Sequence, residues 1–186
     1  MKNLWSLKAS EISKLYLSNE ISLDEIINSV EERFNQVNPK INAIPESTFE
    51  YARKQAKILD NNKKNNKPLG CLAGVPVTIK INTDQTGFAS TNGLKLNKSL
   101  IAHKNSPVVD NLEKAGALIV GRTNTPAFSI RWFTNNSLHG HTFNPHNNKI
   151  TPGGSSGGAA SATASGIGCI GHGTDIAGSI RYPAYA

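Results

Sequence analysis

In "SPVVDNLEKAGALIVG", Ser106 to Gly121, a serine stands at the N-cap position and Pro107 at the first helical position, where its missing N–H costs nothing. Gly116 falls just past the end. This punctuation predicts a helix, and the "ALIVG" that follows predicts a fully apolar strand. Upstream, "GVPVTIK" (Gly74–Lys80) reads as a second short, β-branched strand running into a lysine. Strand, helix and strand thus alternate from about residue 72, the pattern of an α/β domain with a largely parallel sheet covered by helices.

Towards the N-terminus the signals are helical. "SLDEIINSVEERFNQVNP" opens with a capping box, Ser22 with Glu25. It carries Leu23, Ile26, Ile27, Val30, Phe34 and Val37 on one face, and Pro39 predicts its stop. A second box, Ser47 with Glu50, predicts another helix, and the run "NNKKNNK" (Asn61–Lys67) predicts an exposed loop. On the other side, Arg122 to Gly154 is long, polar and broken by prolines. Loops of that length in compact domains are usually functional or disordered. "SSGGAASATASG" then predicts a helix of small residues and "IGCIGHG" a strand. No internal repeat or second domain is visible. Residues 1–186 are expected to form one domain, helical over 1–70 and α/β over 71–186.

Composition excludes several classes. The 186 residues are 38% hydrophobic, enough for one core, and no run approaches a membrane span. The Met1–Leu17 stretch has no apolar signal-peptide region, which predicts a cytoplasmic protein. The net charge of +7 comes mostly from scattered lysines rather than a basic patch with aromatics, so nucleic acid is not the expected partner. Cys71 and Cys169 lack metal-site spacing and are expected to be buried, reduced thiols. His103, His139, His141, His146 and His172 form no ligand pattern, so no metal is expected, and the loop histidines are expected to face solvent.

Chemistry concentrates near the C-terminal end. Gly153-Gly154-Ser155-Ser156-Gly157 satisfies G-x-S-x-G, but no strand precedes it and the acid-then-histidine order of an α/β hydrolase is missing. No P-loop is present. A serine hydroxyl needs a base to act as a nucleophile. With histidine set aside, the candidate is a lysine whose burial lowers its proton affinity, and Lys80 ends an apolar strand.

"AGVPVTIK", "NTPAF", "TPGGSSGGAA" and "GTDIAGSIRYPA", in this order, resemble the amidase signature family from the N-terminal helices to the last residue. Lys80 and Ser155 lie 75 residues apart, and Ser155 and Ser179 lie 24 apart, spacings that fit the family. The resemblance implies that Ser179 is the nucleophile attacking an amide carbonyl. Ser155, on a cis peptide bond, would relay the proton to Lys80 as the ultimate base, with Ser156 beside it. The backbone N–H groups of Ile176, Ala177, Gly178 and Ser179 would form the oxyanion hole, with Asp175 and Arg181 bracing the loop. It also implies a small-molecule amide substrate and neither metal nor organic cofactor.

Three departures stand out. Ala177-Gly178 replaces the usual pair of glycines, which would cost about 1 kcal/mol if position 177 needs a positive φ. Ile81-Asn82 replaces the usual Asp-Asn after the lysine. Family members also run for several hundred residues. The chain therefore reads as the N-terminal portion of an amidase, expected to be weak or inactive alone and to be completed by a C-terminal fragment. Alternatives are a catalytically dead remnant serving as an interaction module, and a fragment of an aminoacyl-tRNA amidotransferase-type subunit.

Overall fold

A computed structural model describes residues 3–186; the first two residues of the Met1–Leu17 stretch lie outside the described residues. Helices α1 (Ala9–Leu17) and α2 (Leu23–Ile41) lead to the two-residue strand β1 (Glu46–Ser47) and helix α3 (Phe49–Lys64). Strand β2 (Pro76–Lys80), helix α4 (Pro107–Lys114) and strand β3 (Leu118–Thr123) follow. A small hairpin pairs β4 (Asn135–Asn136) with β5 (Gly140–His141). Helix α5 (Gly157–Ala164), strand β6 (Ile170–Gly171) and the short helix α6 (Arg181–Tyr185) complete the order.

The main sheet runs β1-β3-β2-β6. Both β3 and β6 are parallel to β2, and only β1 is antiparallel. The expected α/β class with a mixed, largely parallel sheet is what forms. Every residue of β2 and β3 is buried; burial on both faces is why Leu118–Val120 reads as an unbroken apolar run, and it takes the polar Thr78, Lys80, Arg122 and Thr123 inside as well.

The sheet has a different apolar cluster on each face. On one side Leu118 and Val120 meet Ile12, Ile26 and Ala162 from the helices, with Ile44 from the segment after α2. On the other, Ile119 joins Val77, Ile79 and Val109. A register shift in the β2–β3 ladder between Val77 and Thr78 breaks this alternation: Val77 pairs with Ile119, but Thr78 pairs with Gly121 and Ile79 with Arg122. Gly121 faces Ile44, where a Cβ would come within 2.7 Å of the isoleucine side chain. The extra residue turns Arg122 to the same face as Ile79.

The Ser22–Glu25 box forms as expected: Ser22 Oγ accepts the Glu25 N–H, and the Glu25 carboxylate accepts the Ser22 N–H at 2.8 Å. Other boundaries differ. Helix α2 continues past Pro39 to Ile41, and Asn42 in the left-handed conformation ends it. Asn38 Oδ1 accepts the N–H groups of Ala43 and Ile44 there, so the cap overrides the proline. Ser47 caps nothing, because it pairs in β1. Thr48 takes the N-cap position, and its hydroxyl donates to Ile119 O at 2.8 Å. Asn61 to Lys64 is helical, not loop, because α3 propagates to Lys64.

Cys71 is exposed in a turn, correcting the expectation that both thiols are buried. Cys169 is half-buried, and burial pushes its thiol up to about 11. His139 is half-buried as well, its Nε2 hydrogen-bonded to Thr91 Oγ1 at 2.9 Å, rather than facing solvent.

Candidate active site

The C-terminal end of β2, the start of α5 and the loop before α6 converge on one lysine. Lys80 is the last residue of β2 and exposes no surface. Its Nζ lies 2.7 Å from Ser155 Oγ, 3.0 Å from Ser156 Oγ and 2.9 Å from Thr174 Oγ1. Three hydroxyls suit both protonation states, accepting three N–H bonds from the ammonium or two from the amine while the third hydroxyl donates. Burial lowers the Lys80 pKa to about 8, against the opposing pull of Asp175. At pH 7 such an amine is neutral in about one molecule in ten, compared with about one in 2,500 for a solvated lysine. The fold within these residues is enough to bury this lysine.

That burial has a measurable consequence. Between about pH 8 and 10.4 the unfolded chain still binds the Lys80 proton while the native state has released it. Stability therefore rises with pH through this window, by up to on the order of 3 kcal/mol. Urea unfolding of a Lys80→Met variant is expected to lose this rise, and an unchanged slope would show that Lys80 is not desolvated.

Ser155 and Ser156 are held from several sides. The Gly154–Ser155 peptide bond is cis. Ser155 O accepts from Thr125 Oγ1 at 3.0 Å, and the Ser156 N–H donates to Ser179 O at 3.1 Å. Gly154 abuts the Arg131–Phe133 backbone, with its Cβ direction 2.6 Å from Phe133 N, so only glycine fits.

Ser179 is 9% exposed and sits just ahead of α6. Among the described residues no hydrogen bond joins its Oγ to Ser155 Oγ; the Ser179 carbonyl, through the Ser156 N–H, ties the two segments together. Asp175 organises the preceding loop. Its carboxylate accepts the N–H groups of Gly178 (2.7 Å), Ile180 (3.0 Å) and Arg181 (3.1 Å), and Arg181 adds Nε at 3.1 Å and Nη2 at 2.9 Å. The hydrogen bond from Arg181 is the main cause holding Asp175 well below the usual carboxylate range. The Gly178 N–H is thereby occupied, whereas Ile176 at the loop tip is fully exposed.

Ala177 does not carry the expected backbone cost. Gly178 has the positive φ, +100°, and a Cβ there would meet nothing within 4 Å. Gly178→Ala is therefore expected to cost about 1–2 kcal/mol through backbone strain alone. Ala177→Gly brings no gain and costs about 0.4–1 kcal/mol in chain entropy. Thermal unfolding of the two variants checks the order.

Sequence reasoning singled out Lys80, Ser155, Ser156, Asp175 and Arg181, and all lie in this cluster. It passed over Thr174, the third hydroxyl on Lys80, although Thr174 stands inside the quoted "GTD". It also missed Thr125, and His172, whose Nδ1 accepts the Lys80 backbone N–H at 3.4 Å. A half-buried histidine beside the end of a parallel strand leaves no periodic signal.

Comparison with known proteins identifies the family. The family described as Amidase matches residues 25–186. An indoleacetamide hydrolase from Bradyrhizobium diazoefficiens is 47% identical over 182 residues, covering 98% of this chain and 35% of the relative. A glutamyl-tRNA(Gln) amidotransferase subunit of Fusobacterium nucleatum is 40% identical over 98% of this chain and 37% of its own length. The solved structure of a bacterial aryl acylamidase of the amidase signature family superposes with a TM-score of 0.91 at 35% identity, over 96% of this chain and 37% of that one. The chain thus spans little more than a third of the length of the relatives it matches. On the family match and the shared fold, the chain belongs to the amidase signature family.

Proposed function

We propose that the chain carries the serine–serine–lysine unit of an amidohydrolase acting on a carboxylic amide, within a single partial amidase domain. The observation that carries this reading is the fully buried Lys80 Nζ, hydrogen-bonded to Ser155 Oγ at 2.7 Å and shifted to about 8. Ser179 Oγ attacks the amide carbonyl while its proton passes through Ser155 Oγ to Lys80 Nζ. The tetrahedral oxyanion is met by the N–H groups of Ile176, Ala177 and Ser179, preorganised donors of the kind such a charge requires. Collapse breaks the C–N bond, the proton returns to the departing nitrogen, and water then releases the acid from Ser179 by the same relay. Ser179 Oγ must come within hydrogen-bond reach of Ser155 Oγ for this, a tightening common between free and loaded enzymes.

Exposed aromatic side chains line the segment that packs on Gly154. Phe128, Trp132 and Phe133 are all exposed, and Trp132 stands 5.9 Å from the Tyr182 ring, three residues beyond Ser179. This rim suits an apolar or aromatic acyl group, in keeping with the names of the indoleacetamide hydrolase and the aryl acylamidase. The fully exposed Ile176 favours a companion segment covering the loop, supplied by a complementing C-terminal fragment. The aminoacyl-tRNA amidotransferase reading draws support from the Fusobacterium relative, but the scattered lysines offer it no basic tract.

Treatment of the purified chain with a fluorophosphonate probe, with the adduct mapped by mass spectrometry, tests the proposal. A phosphonylated Ser179 is the expected result. Labelling that survives Ser179→Ala unchanged, or no adduct while an intact amidase labels in parallel, would leave the chain an amidase by descent only.

A further inference from the structure

Arg122 carries a charge that the proposed chemistry does not use. It exposes no surface, yet its guanidinium is far from fully hydrogen-bonded: Nε and Nη1 have no hydrogen-bond partner among the described residues. Burying a guanidinium is costly unless it is paired. Its nearest carboxylate, Glu46, reaches only 3.6 Å from Nε, and burial raises the pKa of Glu46 in spite of the arginine. Asp84 is the other acidic group acting on it. What the guanidinium does hold is backbone. Nη2 bridges two carbonyls, Ile81 O at 3.3 Å and Thr83 O at 3.0 Å.

Those carbonyls belong to the turn that directly follows Lys80. The turn closes with the Thr83 N–H on Lys80 O at 3.0 Å, and the Ile81 N–H extends the ladder to Thr123 O at 3.0 Å. Arg122 reaches this turn because the register shift beside Gly121 pairs it with Ile79 and places it on the sheet face opposite Lys80. Lys80 points the other way, into the three hydroxyls, with Asp175 and His172 as its charged and titratable neighbours. A strand end is where a ladder frays first, and here it carries the residue whose placement matters most. Ile81 fills the position where the resemblance expects an aspartate, so no side chain at 81 can brace the turn by charge.

We infer that Arg122 is a positioning residue for Lys80: by bridging Ile81 O and Thr83 O it locks the turn after β2 and keeps the lysine in its hydroxyl cradle. The inference rests on reading Lys80 as the base of the site. It gives the buried arginine a task that neither Glu46 nor the apolar neighbours explain.

The test uses Arg122→Lys in the full chain. Lysine keeps the charge but ends about one bond short of the Nη2 position, so it loses the bridge without removing the cation. Two readouts are taken: titration of Lys80 by NMR with 13C-labelled lysine, and hydrogen exchange of single amides. Loosening the turn admits water to Nζ, so the Lys80 midpoint is expected to rise by about one pH unit. The Ile81 and Thr83 amides are expected to exchange at least about tenfold faster, while the Cys169 amide, bonded to Pro76 O at the other end of β2, is unchanged.

An unmoved Lys80 midpoint overturns the inference. So does equal acceleration at Thr83 and Cys169, which would make Arg122 a general stability residue. Arg122→Met, where it folds, separates charge from bridge: a midpoint that moves in this variant but not in Arg122→Lys also refutes the clamp. If the midpoint moves as expected but Ser179 never labels, the clamp stands and the reading of Lys80 as a catalytic base fails.

Discussion

Replacing Lys80 by alanine is expected to slow fluorophosphonate modification of Ser179 by about 10²–10⁴-fold, the usual contribution of a positioned general base. Among the described residues Lys80 is the only amine hydrogen-bonded to the Ser155 hydroxyl, so no neighbour can take over the proton. The pH profile should change with the rate. In the parent chain labelling should climb with a midpoint near 8, where Lys80 loses its proton, and in the variant that step should vanish. Alanine also strips the Ser155, Ser156 and Thr174 hydroxyls of their shared partner, so Lys80→Met, which restores volume without a titrating group, serves as the control. Equal labelling by Lys80→Met and the parent chain would remove Lys80 from the chemistry. His172 does not confuse the reading, since burial, followed by the charge of Lys80, moves its pKa down and away from the window around pH 8.

Gly158→Ala is expected to be strongly damaging. Gly158 lies in the first turn of α5, and a Cβ there would fall on the backbone N and O of Asn124 and within 2.9 Å of Ala43 O. Backbone atoms cannot move aside as a side-chain tip can, so α5 must shift. Overpacking of this kind costs about 1–3 kcal/mol. The shift would also carry Ser155 and Ser156, at the head of α5, away from Lys80 Nζ. The expected result is a lower urea midpoint at unchanged m-value, together with loss of Ser179 labelling. A Gly158→Ala chain with parent stability would mean that α5 does not pack this closely on the end of β3.

The contrast with Gly178 shows how little a glycine count says alone. Both glycines stand in the motifs that carry the family resemblance. One is required by the neighbour it touches and the other by its own φ. Nothing in "GGAASATASG" or "DIAGSIR" separates the two cases, since close approach depends on the Asn124 backbone more than thirty residues away.

Much of this protein was determined by local sequence. The apolar β2 and β3 runs, the Ser22–Glu25 cap, and Pro107 with Gly116 around α4 depend on intrinsic residue preferences, and each formed where its pattern predicts. The candidate site residues were legible for a different reason: the motifs that hold them resemble a known family. Tertiary structure decided the rest. Thr48 rather than Ser47 takes the N-cap position of α3 because β1 pairs with β3, a contact between segments over seventy residues apart. Lys80 loses its solvation because Ser155, Ser156 and Thr174 close over it from elsewhere in the chain, and burial in turn sets its proton affinity. Arg122 faces the turn after Lys80 only because one extra residue in β3 shifts the ladder. Propensity acts over a few residues and leaves a local mark. Desolvation, register and close backbone approach exist only once distant segments have met.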